Sequence, residues 1–246
     1  MLKVWLRNFL FFKKTFMVSL FWTTLEPLMF LGAFGFGFGH YISSIEGMSF
    51  LQFYFAGLLC TTAMMVAYFE STYPNYTKLT HQKTYAAMLL TPVSTTQIFF
   101  GEMLWSATKG FLGVLGVFVI SSFFGLFNIK FFIIAPVLFL LSLVFASFGM
   151  IMISIAKNYD SFVFSTSGVI VPLSMISGTY FSLDEIPYYL KSAAYFFPLA
   201  HAVNLVRSAL YKTVGMQDLV HAGVLVLYFF VFSLIGLRLF KKKLVN

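Results

Sequence analysis

Few side chains in this sequence have the type and spacing that covalent chemistry needs. No GxxxxGK(S/T) run occurs, so the chain has no P-loop to cradle nucleotide phosphates, and neither HExxH nor GxSxG is present. His40, His81, His201 and His221 are too scattered to suggest a metal site, and the single Cys60 excludes an internal disulfide and a cysteine cluster. Gly32, Gly35, Gly37 and Gly39 lack the spacing and strand context of a dinucleotide fingerprint; the Gly35/Gly39 pair suits close helix approach instead. What remains is a set of ionisable residues at or inside long apolar runs: Glu26, Glu70, Glu102 and Lys109. Each costs about 2.5–3.5 kcal/mol at the centre of a membrane helix, which makes them candidates for a structural anchor or a relay. The three glutamates read toward the ends of their runs, where the cost is lower. Glu102 and Lys109 share a face at i, i+7 but lie about 10 Å apart along the axis, too far for a direct pair.

The elements that must position these residues follow from composition. Of 246 residues 60% are apolar and 10% charged, which leaves too little polar surface to cover a soluble globule of this size. Six stretches approach the 20 residues that cross a bilayer: Pro27 to Ser44, Phe50 to Phe69, Ile98 to Phe124, Phe131 to Ile155, Phe162 to Phe181 and Leu219 to Phe240. They are continuously apolar over more than a barrel strand's length, so the expectation is an all-α integral membrane protein.

With the N-terminus inside, eleven of the 16 Lys and Arg fall on the cytosolic side: Lys3, Arg7, Lys13, Lys14, Lys78, Lys83, Lys157, Arg238, Lys241, Lys242 and Lys243. Lys130, Lys191, Arg207 and Lys212 fall outside. Two basic ends on one side require an even number of spans.

Residues 1–25 read as a helix lying in the interface, with Lys3, Arg7 and Lys14 on one face and Trp5, Phe9, Phe12, Phe16 and Leu20 on another. Glu26-Pro27 reads as the start of the first span, and no small-x-small site points to a cleaved signal peptide. Between spans two and three, Thr80 to Thr91 can form a short helix, with Thr80 as N-cap, Pro92 as stop, and Tyr85, Met88 and Leu89 on one face. Residues 182–218 contain two half-length helical patterns divided by Pro198, which suits a pair dipping into the outer leaflet and returning. Residues 219–246 hold the last span and a basic tail.

The runs Phe69-Glu70-Ser71-Thr72-Tyr73, His81-Gln82-Lys83-Thr84-Tyr85-Ala86-Ala87-Met88-Leu89-Leu90-Thr91-Pro92 and Gly101-Glu102-Met103-Leu104-Trp105 resemble the membrane subunits of ABC-2 type transporters. Among these, the chain looks most like the permeases of lipo-oligosaccharide (nodulation factor) export. Ser177-Gly178-Thr179-Tyr180-Phe181, Asp184-Glu185-Ile186-Pro187 and Phe197-Pro198-Leu199-Ala200-His201-Ala202 with Arg207 are similar to the family's C-terminal signature, although Ser182 stands where proline is expected.

The resemblance covers nearly the whole chain and implies one ABC-2 transmembrane domain, paired with a second copy of itself in a bacterial cytoplasmic membrane, both termini cytosolic. Each copy would engage a cytosolic ATPase that holds ATP and Mg, while this chain holds no cofactor. Gln82, Lys83, Tyr85, Met88 and Leu89 would couple to the ATPase, and Asp184, Glu185, Pro198, His201 and Arg207 would mark a re-entrant outer segment. The substrate would be an amphiphile, in the first reading a lipid-linked or lipo-oligosaccharide glycan. Drug or antibiotic efflux is the alternative on the same scaffold, and an intramembrane lipid-modifying enzyme would need a catalytic cluster that the sequence does not display.

The charge count makes a direct prediction. In a background lacking Cys60, Ser44→Cys and Ser192→Cys should react with an impermeant maleimide on intact cells, and Thr77→Cys and Lys241→Cys should not. Reaction at Thr77→Cys would invert or break the topology.

Overall fold

The computed structural model describes residues 1–245. A first helix, α1 (Leu2–Lys14), stops at Thr15, and α2 (Phe16–Gly39) begins at the next residue. The interface segment is therefore thirteen residues rather than twenty-five, and its buried stripe is Val4, Asn8 and Phe12, while Phe9 is partly exposed. Residues 16–25 join the first long helix because they are as apolar as the rest of it: Met17, Val18, Phe21 and Trp22 all point outward, a face suited to lipid. Pro27 accordingly lies inside α2 and does not start it. A π-helical stretch at Leu31–Phe36 comes just after the proline, the kind of local adjustment that re-satisfies backbone near a missing donor. Gly35 faces the start of the next long helix, where a Cβ would fall 2.6 Å from Leu51 Cδ1.

A two-residue hairpin, β1 (Ser44–Ile45) with β2 (Met48–Ser49), turns through Glu46 and Gly47. Ser49 and Gln52 then form a capping box that starts α3 (Phe50–Thr80). Thr80 is the last residue of α3 and not an N-cap: its hydroxyl donates back to Tyr76 O at 2.8 Å. Lys83, at φ 48°, turns the chain into a six-residue α4 (Thr84–Leu89). A second capping box, Ser94 with Gln97, starts α5 (Thr95–Ser121), and α6 (Phe131–Ile155) returns.

The stretch expected as the fifth span is helical only over α7 (Asp160–Ile176), seventeen residues that include a π-helical turn and Pro172. From Ser177 the backbone is irregular and passes through Gly178 at φ 82°. Among the described residues five helices, not six, are thus long and apolar enough by themselves to cross a membrane: α2, α3, α5, α6 and α10 (Met216–Val245). Between α7 and α10 lie two shorter helices, α8 (Tyr188–Phe196) and α9 (Pro198–Tyr211).

The bundle is built around α3. Its apolar window is 78% buried, against 11% for α2 and 17% for α10, so those two are peripheral. α3 packs on α5, α6 and α9, and α10 packs along α6. Both termini come to one end, where Lys78 meets Asn8, Tyr85 meets Phe240, and Lys243 Nζ donates to Ala156 O at 3.2 Å. The hairpin, α8 and α9 occupy the opposite, distal end.

Gly116 sets how closely α2 approaches α5, since a Cβ there would fall 2.1 Å from Thr24 Cγ2. Thr24 cannot rotate away cheaply, because its hydroxyl is bonded to Leu20 O at 2.7 Å. Gly116→Ala should destabilise the folded chain by about 1–3 kcal/mol in an SDS-titration unfolding measurement. Gly37→Ala, where nothing stands within 4 Å, should be near neutral.

Candidate functional site

At the terminal end a polar joint lies where hydrophobic helices converge. Glu102 on α5 is fully buried; its Oε2 pairs with Lys78 Nζ at 2.7 Å and accepts from Asn8 Nδ2 at 2.7 Å. Lys78 also donates to Asn8 Oδ1 at 3.2 Å and Asn75 Oδ1 at 2.9 Å, so α1, α3 and α5 meet on four side chains. Asn75 is fully buried here. Further along α5, Lys109 pairs with Glu70 at 2.7 Å, and Glu70 accepts from Trp105 Nε1 at 2.8 Å. Lys109 thus takes Glu70, and Glu102 takes Lys78. Trp5 Nε1 donates to Thr108 at 3.0 Å, and the rings of Trp5, Phe9 and Phe12 gather around Trp105.

The short helix α4 caps this joint. Tyr85 does not face outward; it is fully buried, with its ring edge-on to Phe240 of α10 and its hydroxyl beside Glu102. Burial first, then that carboxylate, push its ionisation well above the ordinary tyrosine range. α4 starts at Thr84 and not at Thr80, and the expected face of Tyr85, Met88 and Leu89 turns inward at Tyr85 and Met88. Gln82, Lys83 and Leu89 are exposed, Met88 is half-buried against Arg7, and the most exposed apolar side chain of the connection is Leu90, 90% open.

At the distal end Arg207 of α9 is buried without a carboxylate bonded to it. Its guanidinium stacks 3.5 Å above the Phe53 ring and donates to Gly178 O at 2.8 Å and Phe53 O at 3.3 Å. Pro198 opens α9. His201 and His221, far apart in sequence, meet Nδ1 to Nδ1 at 2.7 Å. His201 Nε2 lies 2.8 Å from Tyr195 O, and a carbonyl only accepts, so Nε2 carries the proton. In neutral His201 the Nδ1 then accepts from His221. Among the described residues no third His, Cys, Asp or Glu completes a metal-binding group.

Asp184 pairs with Lys191 at the surface, and Glu185 is exposed. Ser182, where proline is expected, donates to Glu46 Oε1 at 2.6 Å and accepts from Asp184 N, tying the hairpin to the distal loop. Burial opposes the Glu46 charge, but bonds from Lys212 and Ser182 and the charges of Arg207 and Lys212 hold its carboxyl below the ordinary range.

A groove of about 760 Å³ opens between α2, α3 and the distal end of α7. Phe34, Phe38, Phe50, Tyr54 and Tyr180 line one part and Glu26 another; Trp22 and Met175 are exposed at its rim. No sequence pattern marks this groove, because its walls come from three helices and read individually as lipid-facing aromatics.

Residues 2–211 match the ABC-2 type transporter family. The chain belongs to that family. Nodulation protein J of Rhizobium leguminosarum bv. viciae is 34% identical over 246 residues, 100% of this chain and 95% of that one. Nodulation protein J of Rhizobium meliloti is 31% identical over 242 residues, 98% and 92% of the two chains. The inner membrane transport permease YadH of Escherichia coli is 25% identical over 237 residues, 94% and 91%. This ABC-2 chain is a multi-pass membrane permease of an ABC exporter, and the ATPase work belongs to a separate subunit.

In such a permease the terminal joint is a buried ion pair, and removing one partner strands the other. Glu102→Ala should cost about 3–5 kcal/mol in unfolding, whereas Lys78→Met with Glu102→Met should cost less than Glu102→Ala alone. Equal losses in the two variants would mean that the joint is held by packing and not by charge.

Proposed function

We propose that this chain is the homodimeric permease of an ATP-driven exporter that moves an amphiphile, in the best-supported reading a lipo-oligosaccharide, outward across a bacterial cytoplasmic membrane. The observation that carries the reading is the groove: an apolar, aromatic-lined channel between membrane helices with a single carboxylate, the form an amphiphile with a greasy tail and a polar head requires. The relatives named Nodulation protein J support a glycolipid as cargo. A hydrophobic drug is the second reading, favoured by the same aromatic lining.

In this reading α7 completes a sixth crossing, shortened because the distal loop and the α8–α9 pair dip into the outer leaflet to meet it. Both termini are cytosolic, and the 81–91 connection engages the ATPase, on which ATP and Mg bind. Leu89 and Leu90, flanked by Gln82 and Lys83, form the exposed edge that a partner groove would take. Closure of the ATPase pair would push on α4, and through Tyr85 on α10.

The purified chain alone should hydrolyse no ATP, and co-expression with its ATPase should yield two copies of each subunit. Leu90→Asp should leave insertion intact, because the residue touches little of its own chain, yet weaken ATPase capture by a factor on the order of 30, the value of one interface hot spot. Tyr85→Ala should instead destabilise the chain. Wild-type capture and export by Leu90→Asp would remove the connection from the interface.

A further inference from the structure

Glu26 is the one charged side chain on the groove wall; it is exposed there, and among the described residues nothing bonds it. Its depth can be read from its neighbours. Lys109 with Glu70, and the partly exposed Trp5 beside them, mark a polar level toward the terminal end, of the kind found near a membrane face. Thr24 packs on Gly116, seven residues or about 10 Å beyond Lys109 along α5. Glu26 is therefore well inside the hydrocarbon, where an unpaired carboxylate is expensive and needs a partner.

The facing wall supplies a second unmet polar group at the same depth. A Cβ at Gly113 would meet both Val66 of α3 and Thr23 of α2, so those two residues are level. Thr62 is one turn beyond Val66, and Glu26 nearly one turn beyond Thr23, in the same direction. Thr62 is 97% buried on the groove wall, and its hydroxyl has no partner. Thr61, Thr72, Thr77 and Thr80 of the same helix all turn theirs back to carbonyls of α3. From this level the groove runs distally along Phe34, Phe38 and Tyr180, the Phe34 ring lying 5.5 Å from each of the other two.

We infer that Glu26, with Thr62 opposite it, is the specificity-determining seat for the polar head of the cargo, selecting heads rich in hydroxyl or ammonium donors and rejecting anionic ones, while the apolar tail lies along the aromatic run. Hydroxyl donors satisfy the carboxylate, and a turn of Thr62 about χ1 would bring its closed-over hydroxyl to the same head; a phosphate or sulfate would set like charge against Glu26 at a depth where screening is weak. The inference rests on the groove being the transport path.

The test uses the full chain in neutral-lipid nanodiscs and reads Trp22 fluorescence at the groove rim as the difference between wild type and Trp22→Phe. The probes are dodecyl maltoside and dodecyl phosphate, with equal tails. Wild type should bind the maltoside at least about tenfold more tightly than the phosphate; Glu26→Ala should weaken the maltoside about tenfold, and Glu26→Gln should bring the two probes within a few-fold. Thermal unfolding of Glu26→Gln should match or exceed wild type, since no contact is lost. A wild-type ratio near one, or a ratio unchanged in Glu26→Gln while both probes still bind, overturns the specificity seat and leaves the path intact. If neither probe perturbs Trp22 and Phe30→Cys cross-links two copies, the groove is an interface between copies, and the path reading fails as well.

Discussion

A charge taken into a bundle of membrane helices must bring its partner with it, and the joint of Asn8, Asn75, Lys78 and Glu102 is where this chain meets that condition. Lipid offers no water to satisfy a stray carboxylate, so the pair fixes which helices may be neighbours far more strictly than apolar packing could. Packing in lipid is permissive because Leu against Leu gains little over Leu against an acyl chain. Lys78 reaching Glu102 instead sets the register of α3 against α5, and Asn8 reaching the same carboxylate brings α1 across them. The Glu70–Lys109 pair repeats the constraint between α3 and α5 further along.

The distal end solves the same problem by different means. Arg207 is buried, and its charge is spread over a ring face and two backbone carbonyls, one of α3 and one of the irregular loop after α7. That loop leaves carbonyls unpaired where α7 stops short, and the guanidinium takes one of them. Glu46 completes the arrangement from the hairpin, bonded to Ser182 and Lys212. Since α3 gives Lys78 to one end and the Phe53 carbonyl to the other, it is the member through which both polar clusters are held in one frame. Its 78% burial is a consequence of that position.

How much of this was legible in the sequence depends on the range of the interaction. The all-helical class, the apolar runs around α3, α5, α6 and α10, and the split of the late segment at Pro198 are local consequences of composition and of proline, and they could be read directly. The end of α1 is not legible because no charge stands between Lys14 and Glu26 to announce a break, and Thr15 is only one of several hydroxyl residues in that stretch. Thr80 resembled an N-cap, yet the helix before it simply continues, and a threonine whose hydroxyl returns to its own carbonyl looks the same in sequence. Glu70, Glu102 and Lys109 stood out as costly, but their partners are set by packing between helices, so Lys78 went unnamed among the candidates and the His201–His221 contact was invisible. The groove was hidden for the same reason, being made of three faces that each look like lipid surface.

Tyr85 shows how such a misreading can sharpen a mechanism. A tyrosine on a six-residue helix looks like a handle for a partner, but here it is driven inward against Phe240 and Glu102. A helix that short has almost no stability of its own, since nucleation is unfavourable and few bonds are added after it. Free on the surface it would fray under load, and a push from outside would be absorbed locally. Pinned by a buried aromatic to α10 and seated over the ion-paired joint of α1, α3 and α5, it can move only by moving those helices. On the proposed coupling role the exposed leucines would receive the force and Tyr85 would keep it from being lost, so contact and transmission fall to different residues of one short connection.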